Sequence, residues 1–157
     1  MIRAATQADI PAILDLWNLA IRETLITFNT VEKSPDDVAD AIRDYDAFLV
    51  AEHDGQVIGF AALFPFRAGA GYAHTKEHSI MISPNARGQG SGRALMAALE
   101  TAARDLGVHS MIAGVSASNP DGKPFHAAIG FETVGRVNEA GRKFDQWHDL
   151  VLMQKKL

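Results

Sequence analysis

The sequence predicts an α+β (mixed α/β) domain built around one central sheet. Three observations point there. Segments with a helical repeat alternate with short, apolar, β-rich segments along the chain. An Asp54-Gly55 pair joins two such β-rich runs in "FLVAEHDGQVIGFAALFPF", which is the turn chemistry of an antiparallel hairpin. The stretch "EHSIMISPNARGQGSGRAL", residues 77–95, runs from a strand through a glycine-rich turn into a helical pattern.

In chain order, Ile2 to Ala4 reads as a short first strand. Asp9 is placed to cap a helix with Pro11 in its first turn. Ile10, Ile13, Leu14, Trp17 and Ile21 then recur at helical spacing. Ser34-Pro35 starts a second helix leading toward Ile42. The Asp54-Gly55 hairpin follows, then the "EHSIMI" strand, stopped by Ser83-Pro84. A helix is expected from Ser91 to Leu106, with Leu95, Leu99, Ala102 and Leu106 on one face and Gly107 as its stop. "HSMIAGVS" reads as a strand and "KPFHAAIG" as a short helix ended by Gly130. Two last strands are expected near Thr133 to Val137 and Trp147 to Met153. With no repeat, low-complexity tract or linker, residues 1–157 are expected to form a single domain.

Composition narrows the chemistry. Apolar residues at 47% and charged residues at 22% suffice for a core without staples. A net charge of -4 argues against nucleic acid as a partner. There are no cysteines, which removes disulfides, thiolate metal sites and a cysteine nucleophile together. The N-terminus "MIRAATQADI" has no long apolar stretch, so no signal peptide is expected. No window approaches the roughly 18 apolar residues of a membrane span. The expectation is a cytoplasmic protein.

Glycine inside regular structure costs conformational entropy, so Gly88, Gly90 and Gly92 suggest a close approach to the backbone. Strand, glycine-rich turn and helix together form an anion site: free N–H groups of the first helical turn point outward, and the helix dipole adds positive charge. Arg87 and Arg93 flank the stretch. The dinucleotide pattern G-x-G-x-x-G fails at Arg93, and the P-loop pattern is absent.

A second motif competes. "HTKEH", His74 to His78, fits a zinc pattern that works only on a helix. Its neighbours favour a strand, where positions four apart lie roughly 13 Å from each other. Nitrogens so placed cannot share one zinc at about 2.1 Å. No metal is expected.

The pattern R-x-x-G-x-G, Arg87 to Gly92, following a strand and opening a long helix, resembles the coenzyme A pyrophosphate loop of the GNAT acetyltransferases. The likeness extends through "IRAATQADIPAILDLWN", "LVAEHDGQVIGFAAL", "TKEHSIMISPNARGQGSG", "NPDGKPFHAAIGFETVGRV" and "GRKFDQWHDLVLMQKKL". These segments look like the phosphinothricin and methionine sulfone acetyltransferase branch. The resemblance implies a GNAT fold: a twisted, mostly antiparallel sheet of about six or seven strands flanked by about four helices. It implies acetyl-CoA as cosubstrate and direct transfer of its acetyl group to the amine of a small amino acid-like acceptor, such as phosphinothricin, methionine sulfone or methionine sulfoximine. A homodimer is likewise implied. Peptide or protein N-terminal acetylation and a catalytically silent CoA sensor are the alternatives.

Residue roles follow from the resemblance. Arg87, Gly88, Gln89, Gly90, Ser91, Gly92 and Arg93 would hold the pyrophosphate. Backbone groups of Met81 and Ile82 would pair with the pantetheine amides, and Asn119 would contact the cofactor arm. An alkylamine with pKa near 10.4 is neutral in only about one molecule in a few thousand at pH 7, so a general base is useful. Glu77, at the head of an apolar strand, is implied in that role. His126 is the second catalytic candidate, as base or as the acid for the leaving thiolate, with water as the alternative. In the segment that carries it, the branch's serine is Gly122 and its leucine Phe125. Phe28 is implied to line the acceptor pocket, and Arg67 and Tyr72 to hold an acceptor carboxylate.

Overall fold

A computed structural model describes residues 1–157. Seven strands form one sheet: β1 (Ile2–Ala4), β2 (Ala47–His53), β3 (Gln56–Pro65), β4 (Thr75–Ile82), β5 (Ser110–Ser116), β6 (Glu132–Lys143) and β7 (Gln146–Lys156). Their spatial order is β1-β2-β3-β4-β5-β7-β6. Every neighbouring pair is antiparallel except β4 with β5. The helices are α1 (Ile10–Glu23), α2 (Pro35–Asp44), α3 (Ser91–Asp105) and α4 (Gly122–Ala128). This is the architecture expected from the sequence.

Both faces of the sheet are covered. Phe60 and Ala62 of β3 face α1 and α2, packing with Ile13, Trp17, Ile21 and Val38. Ala61 and Leu63, one residue out of phase, face α3 and pack with Leu95, Met96 and Leu99. A strand buried on both sides reads as a continuous apolar run, which is why β3 shows no alternation. Each fully buried Leu or Phe contributes about 1.5–3 kcal/mol through burial.

Local chemistry sets several boundaries as expected. Ser34 Oγ accepts from Asp37 N at 3.1 Å while Ser34 N donates to Asp37 Oδ2 at 2.8 Å, a capping box that starts α2. Asp54 and Gly55 both have positive φ, 49° and 75°, in the β2–β3 turn.

Three expectations need correction. Asp9 does not cap α1 through its side chain. Its carboxylate accepts from Arg3 at 2.7 and 2.9 Å and from Thr6 N at 2.8 Å, and the Arg3 hydrogen bonds hold it down at about 2. Leu106 is not on the buried face of α3: it caps the helix C-terminus and is 56% exposed, and Met96 and Ala103 complete the face instead. The last two strands extend well beyond 133–137 and 147–153, because Phe144 and Asp145 adopt positive φ, 54° and 58°, and close a two-residue hairpin.

Candidate active site

The parallel register of β4 and β5 runs only from Thr75↔Ser110 to His78↔Ala113. Beyond it, β4 stays paired with β3 as far as Ile82, and β5 stays paired with β7 as far as Ser116. The two strands therefore part, each with a bare edge. A cleft of about 1000 Å³ opens there, with Ser79 to Ile82 on one wall and Ala113 to Ser116 on the other. A bare strand edge can pair with an extended amide-bearing chain.

The glycine turn lies at one end of this cleft. Gly88 and Gly90 have φ of 77° and 86°, and a Cβ on either would meet nothing within 4 Å. Glycine is needed there for its backbone conformation. Gly92 differs: a Cβ there would sit 3.1 Å from Phe125 Cε1, so it permits contact between α3 and α4. The first helical bond of α3 is Ala94 N to Gly90 O at 3.0 Å, and the N–H groups from Gly88 to Arg93 have no partner within the protein. Free N–H groups at a helix start are what a pyrophosphate requires. Arg87, Gly88, Gly90, Gly92 and Arg93 line the cleft; Gln89 and Ser91 do not. Asn119 lines it too, with Oδ1 accepting from Asp121 N at 3.3 Å. At Gly122 a Cβ would fall 2.6 Å from Val115 Cγ1, so this chain has no room for the serine expected at that position.

Glu77 stands where the strands begin to part. It lines the cleft and is half-buried, and its carboxylate makes no ion pair or hydrogen bond within the protein. Its Oε2 lies against Gly114 of β5, 3.4 Å from where a Cβ would be. Burial pushes its pKa upward. Neighbouring cations are engaged elsewhere: Lys76 pairs with Asp46 at 2.9 Å, and the Arg67 guanidinium stacks on Tyr72 at 5.9 Å.

His126 is 7% exposed and also lines the cleft, but both its ring nitrogens are committed. Nδ1 lies 2.8 Å from Gly122 O, and Nε2 lies 3.0 Å from Nε2 of His78. A carbonyl only accepts, so His126 Nδ1 carries the proton and its Nε2 accepts from His78. That leaves His78 Nδ1 bare, and it is the buried side-chain atom without a hydrogen bond. Burial lowers the pKa of His126 and pushes His78 down to about 3. Thr75 to His78 of the HTKEH segment are extended, as its neighbours suggested, while His74 lies in the preceding turn with Nδ1 3.0 Å from Gly107 O.

The opposite end of the cleft is bounded by Trp17, Ile26, Thr27, Phe28, Tyr45, Phe64 and Phe66. Phe28 stacks on His148 at 5.8 Å and rests on Gly141, where any Cβ would overlap its ring. Its loop is tied down by Lys143, whose buried ammonium donates to Thr24 O at 2.6 Å and Thr27 O at 2.7 Å. His148 donates from Nε2 to Lys143 O at 2.9 Å, with Ser118 Oγ on its Nδ1 at 2.9 Å. Gly141, Lys143 and His148 escaped the sequence reading, since a β-strand tail of mixed polarity shows no inward face. Arg67 and Tyr72 are exposed on the β3–β4 connection and do not line the cleft, contrary to expectation.

Comparison with known proteins agrees with this geometry. The model of the acetyltransferase (GNAT) family matches residues 13–131. The L-amino acid N-acyltransferase MnaT of Escherichia coli is 35% identical, over 99% of this chain and 93% of its own. Among solved structures, a ribosomal-protein-alanine N-acetyltransferase from Brucella melitensis is 41% identical, with a TM-score of 0.94 over 100% of this chain and 99% of that one. A GNAT superfamily phosphinothricin acetyltransferase from Sinorhizobium meliloti, in complex with AcCoA, is 31% identical, with a TM-score of 0.95 over 100% and 88%.

Proposed function

The chain belongs to the GNAT acetyltransferase family and is an acetyl-CoA-dependent N-acetyltransferase; from that premise we propose that its acceptor is the free amine of a small amino acid, of the phosphinothricin, methionine sulfone or methionine sulfoximine kind. The amino-acid acyltransferase of E. coli and the phosphinothricin enzyme of S. meliloti support this class of acceptor. One domain, residues 1–157, carries the reaction.

Glu77 is the general base. Its carboxylate is unpaired, half-buried and raised in pKa, facing the cleft where the strands part. This observation carries the reading, because a base whose pKa moves toward the working pH is better matched to proton transfer. Bound acetyl-CoA supplies the electrophilic carbonyl carbon. The N–H groups from Gly88 to Arg93, with Arg87 and Arg93, hold the pyrophosphate. The edge of β4 at Met81 and Ile82 pairs with the pantetheine amides, and Asn119 borders the same arm. Glu77 takes one proton from the acceptor ammonium, the amine nitrogen bonds to the thioester carbon, and the C–S bond breaks as the nitrogen gives up its second proton to solvent. The leaving thiolate takes its proton from solvent, since His126 has no free ring nitrogen. His126 instead positions α4 against β4.

A second reading is acetylation of a protein N-terminus, favoured by the likeness to the B. melitensis enzyme. We also infer a homodimer in the cytoplasm. The exposed Val137, Phe144 and Trp147 on the β6–β7 hairpin support self-association. Measuring CoA release with panels of amino acids, peptides and polyamines tests the proposal. Turnover of small amino acids is expected. Turnover of peptides alone would overturn the acceptor assignment, and acetyl-CoA binding without release would point to a sensor.

A further inference from the structure

The acceptor end of the cleft holds a cation with no counter-ion. Lys33 lines the cleft beside Trp17 and Phe28. Its backbone is fixed at two points: Lys33 N donates to Asn18 Oδ1 at 2.8 Å, and Asn18 Nδ2 donates to Lys33 O at 3.1 Å. Asn18 is itself buried in α1, and the next residue, Ser34, opens the capping box of α2. Residue 33 is thus held between two helices. Its ammonium sits over the Trp17 ring, 5.0 Å from the centroid. A cation–π contact orients the charge without neutralising it.

The nearby carboxylates are engaged. Glu32 pairs with Arg22 at 2.7 Å, and Asp37, which feels the charge of Lys33, accepts from Ser34 N at 2.8 Å. Arg87 and Arg93, the other lysine or arginine side chains lining the cleft, belong to the glycine turn. An oriented, half-buried ammonium that faces a cleft without a partner is a receptor for an anionic oxygen group.

We propose that Lys33 receives an anionic group of the acceptor, in the first place its α-carboxylate, and thereby selects free amino acids over their amides, peptides and polyamines. This rests on the reading of the site as an amino-acid acetyltransferase. It also accounts for a carboxylate receptor in a cleft that Arg67 does not reach. An acidic side-chain group such as a phosphinate presents the same oxygen chemistry, and the test separates the two.

The experiment is steady-state kinetics of wild type, Lys33→Met and Lys33→Arg at saturating acetyl-CoA. The acceptors are methionine sulfone, its carboxamide and phosphinothricin. Calorimetry with acetyl-CoA reports whether each variant is folded at the distant end of the cleft. For Lys33→Met, KM for methionine sulfone should rise about 10- to 100-fold, the worth of a charge-assisted hydrogen bond. Its kcat should stay within about twofold, because the ammonium binds ground and transition states alike. The carboxamide should be a poor acceptor of wild type and insensitive to the change, and Lys33→Arg should recover most of the loss. If phosphinothricin alone loses its advantage over methionine sulfone, Lys33 holds the side-chain anion, and anion recognition stands. If acid, amide and phosphinothricin shift equally or not at all, the proposal is wrong. A wild-type enzyme that acetylates no amino acid overturns the proposed function and this inference with it.

Discussion

Nε2 of His78 and Nε2 of His126 stand 3.0 Å apart, and this contact ties strand β4 to helix α4 at the wall of the cleft. Both rings are buried and neutral, with the proton positions fixed by the Gly122 carbonyl at the far side of His126.

That pair makes stability depend on pH. In the unfolded chain both histidines titrate near 6.5, whereas burial lowers both in the folded protein, His78 to about 3. Above about pH 6.5 neither state takes a proton there and the pair costs nothing. As pH falls below that value, the unfolded chain binds protons that the folded one refuses, and stability is lost. Between about pH 7 and pH 5 the free energy of urea unfolding should fall by about 1–2 kcal/mol more in wild type than in His78→Gln, which keeps a donor to His126. Parallel pH dependences of the two proteins would contradict this.

Gly141 supports Phe28, which lines the proposed acceptor end of the cleft. An alanine there overlaps the Phe28 ring and pushes it from its place on His148. Overpacking of this kind costs about 1–3 kcal/mol. Gly141→Ala should raise KM for the acceptor roughly tenfold and leave acetyl-CoA affinity alone, since the glycine turn lies at the other end. Calorimetry with acetyl-CoA beside acceptor kinetics checks it; equal damage to both ligands would mean a general loss of packing.

Gly90 and Gly55 separate backbone strain from cofactor binding. Both have positive φ, 86° and 75°, and open space at the Cβ. Alanine at either position costs about 1–2 kcal/mol in backbone strain. Gly90 borders the cleft and Gly55 does not. Both variants should lose similar stability, but Gly90→Ala alone should weaken acetyl-CoA at least about tenfold by calorimetry. Unchanged affinity in a folded Gly90→Ala protein would refute the pyrophosphate role of the turn.

The sequence conveyed local chemistry well and tertiary placement poorly. The Asp54-Gly55 turn is legible because a glycine follows the aspartate, whereas Phe144-Asp145 closes a hairpin with no glycine and with a phenylalanine at positive φ. Asp9 has the right residue type for a cap, but Arg3, near in space, takes its carboxylate. Arg67 and Tyr72 precede the strand of Glu77 in sequence, yet their connection sends only Phe66 to the cleft and leaves both of them exposed. Lys33 looks like a solvated charge ahead of a cap; only the fold sets it over Trp17. That His126 keeps no free nitrogen depends on His78, a residue whose orientation no spacing rule gives.

If Glu77 is the base, the pH–rate profile of Glu77→Gln must show it. Glutamine keeps the size and hydrogen-bonding capacity of the side chain and removes its basicity. Acetyl-CoA affinity should barely change, because the proposed pyrophosphate site is the glycine turn and not this side chain. At neutral pH and saturating acceptor, kcat should fall by roughly 10²–10⁴-fold, the usual worth of a general base. Part of the loss should return as pH rises and solution supplies the neutral amine. Near-normal turnover of Glu77→Gln at pH 7, with His126→Ala inactive, would rule Glu77 out as the base.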